Sequence, residues 1–266
     1  MRWPRRSRAS SLTDSLGSWP RASRRPLILG HRGTNLGAPE NTLRAFETAL
    51  ALGADGVELD VRLSADAQPV VIHDADLKRV TFGRETRRVA ELSLSELARL
   101  ELAEGQRIPT LAQVLAWAEK RAAHVNVELK SDSHGQAELV EAVRKAIRAG
   151  PAPKALLLSS FDLTVVELAL ERLGGSSVAW LVDTPEALQR ATLELSGMGV
   201  QRVNPDERLL TPGSMRQLQR HRLSVGAWTV NSTERARELA GLGVESIITD
   251  RPGPIAQTVL GRGHDE

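Results

Sequence analysis

The sequence predicts an α/β fold, a (β/α)8 TIM barrel with a small insertion after an extra antiparallel hairpin strand. From Pro26 onward, short apolar runs alternate with amphipathic helical patterns, which is typical of parallel α/β proteins. One of the nine apolar runs is explained as the return strand of a hairpin, and eight parallel strands remain. Residues 27–258 also approach the ~250 residues that are typical of this barrel.

The predicted strands are LILG (27–30), VELDVRL (57–63), PVVIH (69–73), HVNVELK (124–130), ALLLSSF (155–161), VAWLV (178–182), GVQRVN (199–204), VGAWTV (225–230) and SIIT (246–249). Helical patterns separate nearly all of them. In the first helix, Leu43, Phe46 and Leu50 form an i, i+3, i+7 apolar stripe. Thr110 and Gln113 have the spacing of a capping box, so a helix is predicted to begin there.

The second and third strands must form a hairpin, because only residues 64–68 separate them. Parallel neighbours need a crossover of about a dozen residues or more. A turn centred near residues 66–67 would place Asp60 opposite His73. The following residues, 74–109, fit no βα unit and are predicted to form a small cap over the mouth of the barrel. A doubly wound open sheet is the alternative fold, but no Gly-rich dinucleotide-binding turn follows the first strand.

Composition excludes several classes of protein. The chain has no Cys, so it has no disulfide framework, thiolate zinc site or cysteine nucleophile. No run approaches the ~18 apolar residues of a transmembrane helix. Aromatic residues make up 3% and Tyr is absent, which argues against binding single-stranded nucleic acid by stacking. We therefore expect a soluble, cytoplasmic protein, and the sequence leaves its oligomeric state open.

The positive charge is concentrated at the N-terminus. Residues 1–26 contain seven Arg and one Asp, a net charge of +6, whereas the remaining 28 bases and 32 acids give −4. We expect a disordered extension that leaves the chemistry of the barrel unchanged. The alternative is an extension that contacts nucleic acid or a membrane surface; nucleic-acid affinity would then fall steeply with salt and depend on these residues.

Carboxylates occur inside two strands that should be nearly all apolar if both faces are buried. Glu58 and Asp60 alternate with apolar residues, so both lie on one face of their strand. Glu128 likewise lies between apolar residues in the predicted strand over residues 124–130. Because like charges buried together are costly without a cation, the three acids predict a site for one divalent ion held by oxygen ligands. The alternative is an edge strand whose acids face solvent.

Further polar residues stand at strand ends, where barrel enzymes carry their catalytic groups. His31 ends the first strand and His73 ends the hairpin, so the two imidazoles are candidates for proton acceptor and donor. Arg32 and Lys130 either bind a phosphate or simply neutralise the acids. Trp228 either faces the mouth of the barrel and contacts a small organic group or belongs to the core.

Taken together, these motifs resemble the glycerophosphodiester phosphodiesterase family. They are HRG (31–33), PENTLRAF (39–46), GVELDVRLSADAQPVVIHD (56–74), NVELK (126–130), SSFD (159–162), WTVN (228–231) and IITDRP (247–252), in the order of the family. The resemblance implies a barrel with an inserted cap. It also implies Mg²⁺ or Ca²⁺ as the metal and hydrolysis of glycerophosphodiesters to glycerol 3-phosphate and an alcohol such as choline or ethanolamine.

The resemblance also implies roles for individual residues. Glu58, Asp60 and Glu128 would be the metal ligands, His31 and His73 the acid–base pair, and Arg32 and Lys130 the phosphate ligands. One segment departs from the family pattern, which usually reads L-D-R-T after the HD motif. This chain has Leu77-Lys78-Arg79-Val80-Thr81, and the cation at position 78 leaves the preference for the leaving alcohol open.

Two other functions are compatible with the same residues. A lysophospholipase D-type phosphodiesterase acting on lipids would need a broad apolar cap, whereas residues 74–109 are highly charged. A barrel that binds phosphodiesters without hydrolysing them would bind without turnover, and the presence of both histidines argues against it.

Overall fold

Eight parallel strands close into a barrel surrounded by helices, as predicted. The computed structural model describes residues 19–20, 25–131, 134–150, 153, 155–173 and 177–260. The strands are β1 Leu27–Gly30, β2 Gly56–Leu63, β3 Pro69–Val71, β4 His124–Leu129, β5 Ala155–Ser160, β6 Ser177–Val182, β7 Arg202–Pro205, β8 Ser224–Ala227 and β9 Ser246–Thr249. The helices are α1 Leu43–Ala51, α2 Leu94–Leu97, α3 Leu111–Arg121, α4 Gln136–Ala149, α5 Leu163–Leu173, α6 Pro185–Met198, α7 Pro212–Arg220, α8 Thr233–Leu242 and α9 Pro252–Val259.

The strand pairing closes the barrel between β1 and β2. Around the sheet the order is β1-β9-β8-β7-β6-β5-β4-β2, with β1 paired to both β9 and β2. All of these pairs are parallel, so the carboxyl ends of all eight strands meet at one rim. Loops that follow the strands therefore converge there, where the functional groups of such barrels are found.

Strand β3 is the predicted antiparallel excursion, but its register differs by one residue from the expected one. Val61 pairs with Val71 and Leu63 with Pro69, so the turn is centred on Asp66. Ala67 adopts a left-handed conformation with φ +54°, as is common in three-residue hairpin loops. Asp60 consequently lies opposite Ile72 rather than His73, and the Ile72 amide donates to the Asp60 carbonyl at 2.9 Å.

Local sequence signals place the helix starts. Thr110 caps α3, and its side chain accepts from the Gln113 amide as part of the predicted capping box. Thr184 caps α6 in the same way, with Pro185 in the first turn. Within the described residues, no helix is both long and apolar enough to cross a bilayer.

Most of the apolar core lies between the outer surface of the barrel and the helices around it. A second, smaller cluster belongs to the predicted cap. Leu77, Val89 and Leu92 pack there with α2 and with Val70 and Ile72 of the hairpin. Residues 74–109 thus form a small unit with its own apolar centre, continuous with the β2–β3 hairpin.

The lower end of the barrel, at the amino ends of the strands, is filled by Trp19. Its side chain is 4% exposed and packs with Leu29, Leu157 and Ile248. Its amide donates to the Ser177 hydroxyl at 3.3 Å. Most of the predicted extension over residues 1–26 lies outside the described residues. At Trp19 the chain is packed into the barrel, and Arg25 binds Asp55. The disorder expected for the extension stays a prediction.

Candidate active site

A cavity of about 280 Å³ opens at the carboxyl ends of the strands. Seven of the eight sequence-predicted site residues line it, namely His31, Arg32, Glu58, His73, Glu128, Lys130 and Trp228. Asp60, the eighth, is 1% exposed and lies against them. The parallel topology therefore brings together residues that are up to about 200 positions apart in the chain.

The three acids form one buried cluster. In the parallel register of β2 and β4, Asp60 lies beside Glu128, and Glu58 is two positions earlier on the same face of β2. One carboxylate oxygen from each residue lies within 4.8 Å of those of the other two. The prediction that these acids converge is confirmed, and the alternative of a solvent-facing edge strand is wrong.

Two cations lie against this cluster. The Lys130 Nζ is 2.5 Å from Glu128 Oε1 and 3.1 Å from Asp60 Oδ1. The Arg32 Nε is 3.4 Å from Asp60 Oδ2. Both cations therefore partly neutralise the acids, and both also line the cavity, where they can contact an anionic ligand.

The electrostatics show how crowded the acids are. Burial and the neighbouring Asp60 carboxylate raise the pKa of Glu58 to about 8. The same two causes raise the pKa of Glu128. Burial acts in the same sense on Asp60, but Lys130 and Arg32 outweigh it and hold the pKa of Asp60 below its usual value. Two of the three acids thus keep a raised pKa despite the two cations beside the cluster.

A divalent cation fits this cluster. Three carboxylates supply hard oxygen ligands from two rigid strands, which is the donor set that Mg²⁺ and Ca²⁺ prefer. A cation would also offset the mutual repulsion that raises the pKa of Glu58 and Glu128. Glu58, Asp60 and Glu128 are therefore the residues that can hold a metal ion.

The HRG segment turns sharply so that its backbone approaches the acids. Arg32 has φ +52° and Gly33 φ +85°, both left-handed. A Cβ at Gly33 would lie 2.7 Å from the backbone of Ala45 in α1, so only glycine fits this packing. In this conformation the Arg32 amide donates to Glu58 Oε2 at 3.0 Å.

His31 is oriented by residues that follow the last two strands of the barrel, β8 and β9. Its Nδ1 lies 2.7 Å from Asp250 Oδ1, and Asn231 Nδ2 donates to the other Asp250 oxygen at 2.7 Å. Its Nε2 is 4.0 Å from Glu58 Oε2. Burial opposes the shift, but the hydrogen bond to Asp250 and the charge of Glu58 raise the pKa of His31.

His73 has an equivalent carboxylate partner beside it in the chain. Its Nδ1 lies 2.7 Å from Asp74 Oδ1, and Arg62 Nε donates to its carbonyl oxygen at 2.7 Å. Burial lowers the pKa of His73. Asp60 and Asp74 oppose this shift, but the nearby Lys130 and Arg32 partly cancel their effect, so the pKa stays below its usual value. Both imidazoles thus bind a carboxylate through Nδ1 and leave Nε2 as the atom that can exchange a proton with a ligand.

Aromatic and aliphatic side chains form the opposite wall of the cavity. Phe161 and Trp228 pack edge to face with their ring centroids 5.3 Å apart, beside Leu181 and Ile248. Trp228 Nε1 donates to the Asn204 carbonyl at 2.7 Å, which fixes the indole in the wall. Trp228 therefore faces the cavity rather than lying only in the core.

Sequence reasoning missed the residues that orient the predicted ones. Asp250 and Asp74 bind the two histidines, and Asn41 Nδ2 donates to Asp60 Oδ2 at 2.8 Å. The signal for Asp250 and Asp74 was available, since each directly follows a strand or its extension at the catalytic rim. Asn41 lies in a loop 19 residues before its partner and gives no such signal.

Comparison with known proteins agrees with this geometry. Residues 31–254 match the sequence profile of the glycerophosphoryl diester phosphodiesterase family. This chain belongs to that family. The match runs from the HRG segment to the first turn of α9 and so includes all eight predicted site residues. Family membership confirms the enzyme class predicted from the sequence, a phosphodiesterase.

Individual relatives cover nearly the same length. A glycerophosphodiester phosphodiesterase of Caldanaerobacter subterraneus subsp. tengcongensis is 30% identical over 88% of this chain and 97% of its own. The structure of the Thermotoga maritima glycerophosphodiester phosphodiesterase has a TM-score of 0.72 at 30% identity and covers 86% and 96% of the two chains. An Oleispira antarctica phosphodiesterase, solved with the product sn-glycerol-3-phosphate, has a TM-score of 0.81 at 25% identity and covers 88% and 97%.

Proposed function

We propose that this protein hydrolyses glycerophosphodiesters to glycerol 3-phosphate and an alcohol, using a bound divalent metal and two histidines as acid and base. The observation that carries the proposal is the convergence on one cavity of three acids, two cations and two imidazoles that are each bound to a carboxylate. The Oleispira relative with its bound product supports glycerol 3-phosphate as the product of this site as well.

The histidines move the protons. Asp250 and Asp74 hold the Nδ1 atoms, so each ring exchanges a proton through Nε2. One imidazole takes the proton of the attacking hydroxyl, from water or from the glycerol 2-hydroxyl, and the other donates a proton to the departing alkoxide. The same pair can then reverse roles if a cyclic phosphate has to be opened by water.

The cations bind the phosphate. Arg32 supplies a planar fork and Lys130 a point charge at the edge of the acidic cluster. Both are held in place before substrate binds, so they can stabilise the charge that develops on the phosphate oxygens. A Mg²⁺ or Ca²⁺ ion held by Glu58, Asp60 and Glu128 would supply Lewis-acid stabilisation of the same charge.

The cavity favours small substrates. At about 280 Å³ it is near the lower limit of ordinary ligand pockets. Within residues 74–109, all of which are described, Phe82 is the one large apolar side chain that is exposed. This is not the broad apolar cap that a lipid-directed phosphodiesterase would need, so we prefer soluble glycerophosphodiesters with small head groups.

A coupled assay for glycerol 3-phosphate tests the proposal. We expect release of glycerol 3-phosphate from glycerophosphocholine or glycerophosphoethanolamine, loss of that release after exhaustive chelation, and recovery with Mg²⁺ or Ca²⁺. Lysophosphatidylcholine, assayed in parallel, should be a poor substrate. Activity that survives complete chelation would remove the metal from the proposal, and binding of these diesters without turnover would favour a non-catalytic barrel.

A further inference from the structure

The carboxylates behind the two histidines are held by different parts of the molecule. Asp250, behind His31, is bound by Asn231 from the loop after β8, within the barrel itself. Asp74, behind His73, is bound by Arg79 of the cap, whose Nε donates to Asp74 Oδ2 at 2.6 Å. The orientation of His73 therefore depends on a residue outside the barrel.

The same guanidinium also reaches a second carboxylate. Arg79 Nη1 and Nη2 donate to the two oxygens of Glu40 at 3.0 and 2.7 Å. Glu40 Oε1 in turn accepts from Arg32 Nη1 at 3.0 Å. Arg79 thus joins the carboxylate that orients a histidine to the carboxylate that orients a phosphate-binding arginine.

The chemistry of the side chain suits this arrangement. A guanidinium presents its donors in a rigid plane, so it can bind two carboxylates at once in a fixed geometry, which an ammonium cannot do. The Arg79 side chain is 51% exposed, and exposed ion pairs contribute little to folding. Its two ion pairs therefore matter chiefly for the geometry of the groups that they hold.

We propose that Arg79 is a positioning residue that sets His73 and Arg32 in a single arrangement around the phosphodiester, through Asp74 and Glu40. The inference rests on the proposed function, because it assigns His73 to proton transfer and Arg32 to phosphate. It makes the cap part of the catalytic apparatus. The ion pair of Arg79 with Asp74 affects proton transfer by His73, and its ion pair with Glu40 affects phosphate binding by Arg32.

Kinetics of Arg79→Ala and Arg79→Lys test the proposal, with Arg87→Ala as the matched control. Arg87 also lies in the cap, is 52% exposed and forks onto a carboxylate, that of Glu85. Loss of a residue that orients a catalytic group typically costs about 10–100-fold. We expect a loss of that size in kcat/KM for Arg79→Ala, shared between a lower kcat and a higher KM, and a change of less than about 2-fold for Arg87→Ala.

Two further measurements distinguish positioning from a general structural defect. Millimolar guanidinium should restore part of the activity of Arg79→Ala, because the vacated site is open to solvent; it should not affect Arg87→Ala. In a double-mutant cycle, Arg79→Ala should add little to the loss in kcat caused by Asp74→Asn, because both changes act on the same interaction. Full additivity together with failure of rescue would overturn the proposal.

A readout independent of activity separates this inference from the proposed function. The Nδ1 proton of His73, bound to Asp74, should give a downfield resonance in proton NMR, assigned by its loss in His73→Ala. We expect it to weaken or exchange faster in Arg79→Ala and to persist in Arg87→Ala. If the wild type fails to hydrolyse glycerophosphodiesters, the proposed function fails, while this resonance still tests the link from Arg79 to His73. A resonance unchanged in Arg79→Ala would refute that link.

Discussion

The two ends of the barrel both bury charged groups, but they arrange them in opposite ways. At the lower end, Glu245 and Asp55 each have their own arginine: Arg202 Nη2 is 2.5 Å from Glu245 Oε2, and Arg25 binds Asp55 at 2.7 and 2.8 Å. At the catalytic rim, three carboxylates share two cations within a few ångströms.

The difference separates the lower end, where ion pairs stabilise the fold, from the rim, where repulsion between carboxylates opposes folding. Paired charges at the lower end are satisfied within the protein and need no ligand. At the rim, burial and the charge of Asp60 raise the pKa of Glu58 and Glu128, and a bound cation or a proton relieves this repulsion. Substitutions at the lower end should therefore change stability, and substitutions at the rim should change activity. Variants at each end of the barrel test this distinction.

The largest effect is expected from the histidines of the rim. His31→Ala and His73→Ala should each lower kcat about 10²–10⁴-fold, because each removes one proton transfer. His124, at the lower end, is a matched control: it is also buried, but it contacts Trp19 and the Asp55 carbonyl. Steady-state kinetics of His124→Ala should show kcat within about 2-fold of wild type. Near-normal turnover in either rim variant would remove that histidine from the proposed mechanism.

The paired charges of the lower end should show the reverse behaviour. Arg202→Ala removes the arginine partner of Glu245, whose side chain is only 13% exposed, and should lower the free energy of unfolding by about 3–5 kcal/mol, with kcat unchanged in the fraction that remains folded. The measurement is chemical denaturation together with active-site titration. Arg44, which binds Glu104 with both side chains about half exposed, is the control and should not change the unfolding midpoint when replaced by Ala. Equal effects of the two substitutions would contradict the stabilising role of the buried pair.

Metal binding should stabilise the rim. Mg²⁺ or Ca²⁺ at about 100 times its dissociation constant should add about 2.7 kcal/mol to the free energy of unfolding of the chelated protein, because the ion binds the folded state. Thermal unfolding with and without the ion measures this. Asp60→Asn should abolish the increase, whereas Glu141→Gln, at a half-buried acid on α4 far from the cluster in the fold, should retain it. An increase that survives Asp60→Asn would place the ion elsewhere.

The smallest effect concerns pH at the lower end. Burial opposes the shift, but Arg25 and the Ile28 amide hold the pKa of Asp55 below its usual value. A carboxylate with a lowered folded-state pKa stabilises the fold above its unfolded pKa, and that contribution is lost as the pH falls through the folded value. The difference in unfolding free energy between wild type and Asp55→Asn should therefore be at most about 1 kcal/mol at pH 7 and shrink below about pH 4. A difference independent of pH would exclude the ion pair as its cause.

Local patterns were enough to predict the barrel and the residues that converge at its rim. In β2 and β4 the acids alternate with apolar residues. Because the side-chain period of a strand is two, this alternation predicts that the acids share one face of each strand. The hairpin register was missed by one residue, since a left-handed Ala67 leaves no clear signal in the sequence. Asp250 and His31 are 219 positions apart, and only closure of the barrel brings them together. Trp19 lies in a polar, Arg-rich segment with no periodicity that would indicate burial.

The position of Trp19 has a practical consequence for protein engineering. The indole fills the floor of the barrel, and the Arg202 guanidinium lies 5.9 Å from its centre. A shortened protein that starts at Leu27, the first residue of β1, would lack this filling and leave a void beneath the active-site cavity. A group for immobilisation is better attached before Trp19 in the chain than at Trp19 itself, because the indole fills the floor of the barrel. This end of the barrel is opposite to the rim at which the cavity opens for substrate.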